Sequence, residues 1–392
     1  MLETHISDIV DQYFSEQEKA FLIDLRRDLH QIPELAFQEF ETQKRIQKAL
    51  TDIGIEDIQP VAGTGLIARI KGADAKSSTL CLRGDIDALP IQEATGLPFS
   101  SKHSGRMHAC GHDVHASWVV AAGLLLQKQQ LKGDVILLFQ PAEEIAKGAL
   151  EVIKSGVLDG VRAIFGGHVD RRYAVGQVVA HEGAIAANSD TFSIKIVGKG
   201  AHGARPAEGQ SPFLAVSEII NMVHTFLDTI LNKDELAVIS IGSVQSGHTH
   251  NVIPGEAIIQ GTIRSFLPDV RQKIHQQLKD NVRAIIVSHK LEGSCDILVG
   301  APSIVNKEPC LILAQKAVEN SLGVNALTPL NAINFGAEDF GYYLEDIPGC
   351  FLRIGARYKN GEFVPAHNEI FFVEDETIFV AGIVFSTILR LF

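Results

Sequence analysis

A short segment of this chain is unusually rich in side chains that can bind a metal ion. Residues 107–115 read M-H-A-C-G-H-D-V-H, so that a single glycine separates Cys110 from His112. Side chains this close in sequence can face one cation or two adjacent cations. Further side chains of ligand type follow at Glu143, Glu144, His168 and His367. This spacing favours a metal site that carries out hydrolysis.

Hydrolysis of an unactivated amide needs a strong nucleophile, which a metal ion can supply, and the metal ion in turn needs several ligands. A divalent cation lowers the pKa of bound water to about 7 and polarises the carbonyl group. The candidate ligands are Cys110, His112, Glu144, His168 and His367. One open tetrahedral site needs fewer ligands, so two cations that share a bridging ligand are the economical interpretation. Zinc, manganese, cobalt and nickel all remain possible, because imidazole and carboxylate suit each of them.

Two pairs of acidic residues could support this chemistry. In the pair Glu143-Glu144, which follows Pro141, one carboxylate can bind a cation while the other moves a proton from water to the leaving amine. A turn would allow this, whereas in a regular strand the two side chains would face opposite ways. Asp85 and Asp87 end a predicted strand, and we count Asp87 with the catalytic residues because a carboxylate there can orient a ligand histidine. Ordinary acidic turns are the alternative for both pairs.

Composition excludes several classes of function. The 392 residues suggest two or three domains of roughly 100–200 residues each. A net charge of −12 leaves no basic face for nucleic acid. We find neither an uninterrupted apolar stretch of about 18 residues nor a signal peptide, and therefore expect no membrane partner. The odd number of cysteines, five, at irregular spacings predicts a reducing cytoplasm.

Hydrophobic periodicity predicts an α/β fold with a mostly parallel central sheet flanked by helices. Helical patterns at 38–53 and 112–127 alternate with apolar strands. The predicted strands are 65–70, 79–82, 135–139 and 163–165. The candidate ligands follow the ends of these strands, and in open α/β sheets ligands bind at that edge.

The pattern changes near residue 187 to the order β-α-β-β-α-β, which is typical of a ferredoxin-like unit. The α/β pattern resumes after residue 300 and ends in a buried helix over 378–392. We therefore predict one discontinuous domain, 1–186 with 301–392, interrupted by an inserted domain, 187–300. The insert contains a glycine-rich loop with His202, and Arg264, which could hold a carboxylate with a bidentate fork.

Sequence motifs in the same order over nearly the whole chain resemble the metal-dependent aminoacylase and carboxypeptidase family. The resemblance is strongest to its amidohydrolase branch, which includes hippurate hydrolases and auxin-conjugate hydrolases. The motifs are R-R-D-L-H-Q-I-P-E-L-A-F-Q-E-F-E-T from Arg26, L-R-G-D-I-D-A-L-P-I from Leu82, M-H-A-C-G-H-D-V-H-A from Met107, F-Q-P-A-E-E from Phe139, G-K-G-A-H-G-A from Gly198, H-N-V-I-P-G from His250, G-A-E-D-F from Gly336 and P-A-H-N-E from Pro365.

The resemblance implies a role for each candidate residue. The metal ligands of a two-metal site would be Cys110, His112, Glu144, His168 and His367. Glu143 would act as general base and acid, while Asn251 and Arg264 would contact the substrate. The inserted domain would act as a lid and form a homodimer, in which His202 reaches the partner's active site and stabilises the oxyanion. One departure, Ile-Ala-Lys-Gly at 145–148 instead of a glycine-rich run, prevents transfer of an acyl-group preference.

These observations predict a metal-dependent amidohydrolase that cleaves the amide bond of N-acyl amino acids. A metal-bound water would attack the carbonyl carbon, with Glu143 as the general base. A dipeptidase or carboxypeptidase with the same two-metal site is the alternative among enzymes. A catalytically degenerate metal- or peptide-binding protein would have no need of the base, and a thiol redox protein would need a second cysteine near Cys110.

Overall fold

The computed structural model describes residues 2–74, 77–331, 333–358 and 360–392, with side chains described from residue 6 onward. It divides into two compact units. The first consists of Met1–Ile185, Val305–Ala332 and Asp339–Phe392, and the second of Ala186–Ile304 and Ile333–Glu338. Each unit has its own hydrophobic core.

The second unit is larger than the predicted insert, 187–300: it begins at Ala186, extends to Ile304 and includes one further segment. Residues 333–338 were expected in the larger domain but belong to the second unit. The N–H of Ala187 donates to the carbonyl of Gly336 over 3.1 Å, and the rings of Phe266 and Phe335 pack with centroids 5.0 Å apart. These contacts join residues that are far apart in sequence, so hydrophobic periodicity does not indicate them.

The elements follow one another along the chain in three groups. Up to residue 186 they are α1 (Leu2–Tyr13), α2 (Glu16–Gln31), α3 (Phe40–Asp52), β1 (Ile58–Val61), β2 (Gly65–Ile70), β3 (Thr79–Asp85), α4 (His112–Gln127), β4 (Val135–Gln140), α5 (Gly148–Lys154), β5 (Val161–Ala174), β6 (Val178–Val179) and β7 (Gly183–Ala186). The next are β8 (Asp190–Val197), β9 (Ala201–His202), α6 (Phe213–Ile230), β10 (Ala237–Gln245), β11 (Val252–Ile253), β12 (Glu256–Ser265), α7 (Pro268–Ser288) and β13 (Glu292–Leu298). The last are β14 (Ile304–Asn306), α8 (Cys310–Leu322), α9 (Tyr343–Asp346), β15 (Gly349–Arg357) and α10 (Glu376–Leu391).

The first unit is built on a sheet with the strand order β1-β2-β4-β3-β5-β15-β6. Its central strands β4, β3, β5 and β15 run parallel, and β1, β2 and β6 add antiparallel pairings toward the edges. Every residue of β4 is buried, as expected of a parallel strand that is covered on both faces. Helix α4 is buried almost all round and packs against α10. The α/β prediction is confirmed.

Strand β5 is longer than the sequence predicted. The apolar pattern indicated a strand over 163–165, but β5 continues to Ala174. Its partner is β15, in which Arg353 lies opposite His168. His168 is therefore held inside a paired strand rather than in the loop that follows one, because a strand far along the chain extends the hydrogen-bond ladder.

The second unit has the order β8-α6-β10-β12-α7-β13, with β9 and β11 forming a separate small ribbon. Its sheet order, β10-β12-β8-β13, with antiparallel pairings, is the ferredoxin-like arrangement. Alternate residues of β8, such as Ile194 and Ile196, are buried in the same core as residues of α6 and α7.

Helix α6 is the one helix among the described residues that is long and apolar enough to cross a membrane by length and composition alone. Only 28% of it is buried. Its buried residues, among them Val216, Ile219 and Val223, lie on one face and pack in the core of the second unit. Other apolar residues of this helix remain exposed, including Leu214.

Candidate two-metal active site

The ligand-rich loop ends where helix α4 begins. Gly111 precedes the helix with φ at 89°, a conformation that favours glycine. A side chain there would also bring a Cβ atom to 2.6 Å from Cγ2 of Val169. Cys110 and His112 flank this glycine, and both are buried, with 8% and 0% of their surface exposed. The tight turn therefore presents both side chains to the same interior space.

The paired glutamates lie in a turn between β4 and α5. Ala142 and Ala146 have φ values of 56° and 52°, which are uncommon for residues with a side chain. The N–H of Ala146 donates to the carbonyl of Glu143 over 2.7 Å, and that of Gly148 to the carbonyl of Ala142 over 3.1 Å. This backbone departs from the strand geometry that would separate Glu143 from Glu144.

The distant His367 joins the loop through its backbone. Its N–H donates to the carbonyl of Ala109 over 2.8 Å, next to Cys110. His367 has φ at 64°, a conformation that costs about 1–3 kcal/mol for residues other than glycine. Its Nε2 lies 3.4 Å from Oε2 of Glu144. Such strain is concentrated at functional sites, where the surrounding structure holds it in place.

Several groups of three potential ligands overlap around His112 and Glu143, and two of these groups contain Cys110. One consists of Cys110, His112 and His168, and the other of Cys110, Glu144 and His367. In each group, one ligand atom per residue lies within 4.8 Å of the others. The two groups together contain the five ligands predicted from the sequence, and Cys110 is common to both. Each group is compact enough to surround one cation.

The unsatisfied polar atoms of the site fit two divalent cations. Both ring nitrogens of His112 and Oε1 of Glu144 are buried and have no hydrogen-bond partner among the described residues. Leaving a buried polar group unsatisfied costs about 1–3 kcal/mol. Nδ1 of His112 is 3.3 Å from Oδ1 of Asp87, but without the alignment of a hydrogen bond. Thiolate, imidazole and carboxylate are the donor types that zinc and similar metals bind.

His168 is oriented for ligation by its own strand. Its Nδ1 donates to the carbonyl of Val169 over 2.7 Å, which leaves Nε2 to face Sγ of Cys110 at 3.2 Å. Burial, with His115 and Arg353 nearby, holds the pKa of His168 well below its usual value. The ring is therefore neutral, as a metal ligand must be.

His115 uses both of its ring nitrogens within the protein. The N–H of Val169 donates to Nε2 over 3.1 Å, and Nδ1 donates to Oδ1 of Asp85 over 2.5 Å. Burial lowers the pKa of His115, so the ring is neutral. Burial also opposes ionisation of Asp85, but Arg83 and the neighbouring histidines hold its pKa well below the usual range. Both ring nitrogens of His115 are therefore used in hydrogen bonds, and neither is left to bind a cation.

Asp87 fixes the backbone of the glutamate pair. Its Oδ1 accepts from the N–H of Glu143 and its Oδ2 from the N–H of Glu144, each over 3.0 Å. The sequence suggested that this carboxylate orients a ligand histidine, and it does face His112. The hydrogen bonds add a function that spacing did not indicate, which is to hold the turn itself.

Glu39 is a supporting residue that the sequence reasoning missed. It is fully buried, and its Oε1 accepts from the N–H of Ala142 over 3.0 Å, immediately before the glutamate pair. The hydroxyl of Thr64 donates to its other oxygen over 2.5 Å. Burial raises the pKa of Glu39 to about 7. Its position within the motif that begins at Arg26 was the available signal.

The same motif supports the first turn of α4. Nε of Arg26 and Nδ1 of His30 each lie 2.8 Å from Oδ2 of Asp113, the residue after His112. Burial opposes ionisation of Asp113, but Arg26 and His30 lower its pKa. His108 lies nearby, and burial lowers its pKa to about 3, so it is neutral.

The remaining predicted residues belong to the second unit. His202 is in β9, and its Nδ1 accepts from the N–H of Ala204 over 3.1 Å. Asn251 lies beside it, because its carbonyl accepts from the N–H of Gly203 over 2.8 Å. Arg264 is separate from this ribbon: it is in β12, half-buried, and its Nη1 donates to the carbonyl of Ile263 over 3.2 Å. The structure thus brings His202 and Asn251 together.

Metal affinity should increase with pH. Hydrogen bonds to Cys110 and Glu144 raise the pKa of His367 to about 10, and burial raises the pKa of the Cys110 thiol. Both groups must lose a proton to bind a cation, so protons compete with the metal below these pKa values. We expect the dissociation constant for zinc to fall roughly tenfold per unit of pH for each proton released.

Calorimetric titration with zinc in buffers of different ionisation enthalpy would count these protons. His367→Gln should release one proton fewer than the wild type. His289→Gln is the matched control, because His289 pairs with Glu218 in the second unit over 2.7 Å. Metal binding without proton release near neutral pH would contradict this prediction.

Comparison with known proteins agrees with this geometry. Residues 81–390 match the peptidase family M20/M25/M40. An N-acetyl-L-cysteine deacetylase of Bacillus subtilis is 40% identical over 362 residues, which cover 92% of this chain and 85% of that protein. An N-acetyldiaminopimelate deacetylase of Anoxybacillus flavithermus is 36% identical and covers 86% of this chain and 90% of its own.

One solved structure is similar to this chain in both fold and amino-acid sequence. It is a dinuclear metal-binding peptidase of the M20 family from Bacillus subtilis, with 38% identity and a TM-score of 0.84. The similarity covers 95% of this chain and 98% of that one. The resemblance drawn from the sequence motifs is thereby confirmed. The chain belongs to the peptidase family M20/M25/M40, within the amidohydrolase branch.

Proposed function

We propose that this protein hydrolyses the amide bond of N-acyl amino acids at a site that holds two divalent cations. The observation that carries the proposal is the pair of ligand groups that share Cys110, with Glu143 beside them. Oε2 of Glu143 lies 4.0 Å from Nε2 of His112. The deacetylase activity named for two relatives supports the same class of reaction.

Each cation would have its own ligands and share one. His112 and His168 would hold the first, Glu144 and His367 the second, and the Cys110 thiolate would bridge them. When bound, such ions lower the pKa of water and polarise the carbonyl of the substrate. Zinc, manganese, cobalt and nickel are the candidates, because the donor set suits all of them.

Glu143 would move the proton. Its side chain is largely buried, so a proton that it takes from water is not lost to bulk solvent. It would accept this proton as the oxygen attacks the carbonyl carbon and return it to the nitrogen as the C–N bond breaks. The products are a carboxylate and an amine. The hydrogen bonds to Asp87 would hold the backbone of Glu143 and Glu144 in place during these steps.

The second unit would contribute substrate contacts as a lid. Because Nδ1 of His202 accepts a hydrogen bond, Nε2 is the ring nitrogen that can donate a hydrogen bond to an oxyanion. In the dimer that we propose, His202 would serve the site of the partner subunit. Asn251 would contact the substrate beside it, and Arg264 would bind the carboxylate of the amino acid through its guanidinium group.

Replacement of Glu143 tests the proposed base. We expect Glu143→Gln to lower kcat about 10³-fold, because the amide cannot accept the proton, while two metal ions per chain remain bound. Metal content would be measured by elemental analysis and turnover by release of the free amine. Glu151→Gln is the matched control, since Glu151 is an exposed residue of α5. Wild-type turnover by Glu143→Gln would rule out this role.

The substrate class can be tested against the nearest alternative. A peptidase activity is favoured by the structural relative, which is a dinuclear metal-binding peptidase. We expect kcat/KM for N-acetyl amino acids, with N-acetylcysteine tried first, to exceed that for dipeptides by about tenfold or more. The comparison should be made with zinc, manganese, cobalt and nickel loaded in turn. A preference for dipeptides would establish the peptidase alternative.

We also propose that the second unit forms a homodimer. Strand β10 lies at one edge of its sheet, α6 packs against β10, and an unpaired strand edge is a template for association. Exposed apolar side chains on these two elements are Phe213, Leu214, Ile220, Val238 and Val244. Their burial against a second copy would account for the apolar character of α6 without a membrane.

A charge at this surface should separate the subunits. Leu214, in α6, is 71% exposed, and Leu214→Glu should convert the dimer to a monomer in light scattering after size exclusion. Leu298→Glu is the matched control, because Leu298 is 74% exposed on β13 at the opposite edge of the sheet. A wild-type chain that is monomeric, or a Leu214→Glu variant that remains dimeric, would contradict the proposed interface.

We propose a cytoplasmic location. Every cysteine of the chain lies in the described part of the structure, and all are free. A reducing compartment would keep the Cys110 thiol available for metal, whereas oxidation would remove this ligand. With a net charge of −12, the partner would be a small-molecule substrate rather than nucleic acid.

A further inference from the structure

Asp339, in the motif G-A-E-D-F, is neither a candidate metal ligand nor the proposed general base. It begins a short 3-10 turn, Asp339–Tyr342, and is completely buried. Its carboxylate accepts hydrogen bonds from Nη2 of Arg83 over 2.9 Å, from Nε2 of Gln140 over 2.9 Å, and from the N–H of Ala149 over 3.0 Å. A buried carboxylate with this many donors is held in one position.

Two of these bonds bracket the turn that carries the paired glutamates. Gln140 is the last residue of β4, and Ala149 is the second residue of α5. The segment between them contains Glu143 and Glu144. Because both ends of the segment are bonded to the same carboxylate, Asp339 limits how far the turn can move. Gln140 is fixed in addition by the hydroxyl of Tyr343, which donates to its Oε1 over 2.9 Å.

The hydrogen bond from Arg83 connects Asp339 to the histidine residues of the site. Arg83 is completely buried, and its guanidinium joins Asp339 to Asp85: Nη2 donates to the first over 2.9 Å and Nη1 to the second over 2.6 Å. Asp85 accepts from His115, which in turn accepts from the N–H of Val169. The carbonyl of Val169 orients the ring of His168. An unbroken series of hydrogen bonds therefore connects Asp339 to this ligand.

We propose that Asp339 is the positioning residue that fixes both halves of the metal centre, the glutamate turn and the histidine ligands. This inference rests on the proposed function, since it assumes that these residues bind metal. All three hydrogen-bond partners described for Asp339 are donors. An asparagine in its place would turn an NH₂ group toward one of them and would leave Arg83 with one carboxylate fewer.

The test is Asp339→Asn in the full chain, with zinc affinity measured by competition with a chromogenic chelator. We expect the affinity to fall about 10–100-fold, the range found when residues that orient metal ligands are replaced. At saturating zinc, kcat for an N-acetyl amino acid should remain lowered and KM should change less, because the turn with Glu143 stays displaced.

Asp190→Asn is the matched control. Asp190 is also completely buried and pairs with Arg271 and His275, but it lies in the second unit. Its replacement should lower the melting temperature without changing zinc affinity. Equal losses of zinc affinity in the two variants would mean that the effect is a general loss of stability, and would overturn the proposal.

A milder variant covers the case in which Asp339→Asn does not fold. Tyr343→Phe removes a single hydroxyl that holds Gln140, and should weaken zinc binding about two- to fivefold. If Asp339→Asn folds and binds zinc as tightly as the wild type, the proposal is overturned. If only Tyr343→Phe folds, wild-type zinc affinity in that variant overturns it. These outcomes are independent of the substrate: a wild-type chain that binds no zinc contradicts the proposed function, whereas a variant that binds like the wild type contradicts only the role of Asp339.

Discussion

The proposed metal centre holds several buried acidic groups close together although they repel one another. Asp85 and Asp87 lie within 4 Å of His112, and Glu143 and Glu144 approach the same ring. Burial strengthens such repulsion, because the interior screens charge far less than water does. Local donors oppose it: the guanidinium of Arg83 bonds Asp85, and backbone N–H groups bond Asp87. Divalent cations would supply the remaining positive charge.

The fold of the first unit brings side chains from four separate segments of the chain together. The candidate ligands come from the start of α4, the turn after β4, the interior of β5 and a loop near the end of the chain. The parallel strands bring the first three to the same region of the sheet, where open α/β sheets bind ligands. Backbone N–H groups set each position through hydrogen bonds: His367 donates to Ala109, Glu143 and Glu144 to Asp87, and Val169 to His115. Strands, a helix and these hydrogen bonds thus hold the candidate ligands close to one another.

Local patterns in the sequence predicted the parts of this site, and distant contacts decided their arrangement. Helix α4 begins and ends where periodicity indicated, at 112 and 127, because amphipathic and buried patterns are properties of one segment. The extension of β5 past His168 depends on β15, which lies far along the chain, and no local pattern indicates it. Glu39 and Asp339 lie within motifs of the sequence, but their hydrogen bonds to Ala142 and Ala149 join residues far apart along the chain, so their supporting roles were missed. The two groups that share Cys110 follow from distances, which spacing along the chain cannot supply.

In the proposed hydrolytic site, the thiolate of Cys110 would bind two cations. The most direct measurement is anomalous X-ray diffraction from crystals of the zinc-loaded protein. We expect two anomalous peaks per chain, one beside His112 and His168 and the other beside Glu144 and His367, with Sγ of Cys110 bonded to both metal ions. A single peak, or two peaks with Cys110 bonded to neither, would contradict this prediction.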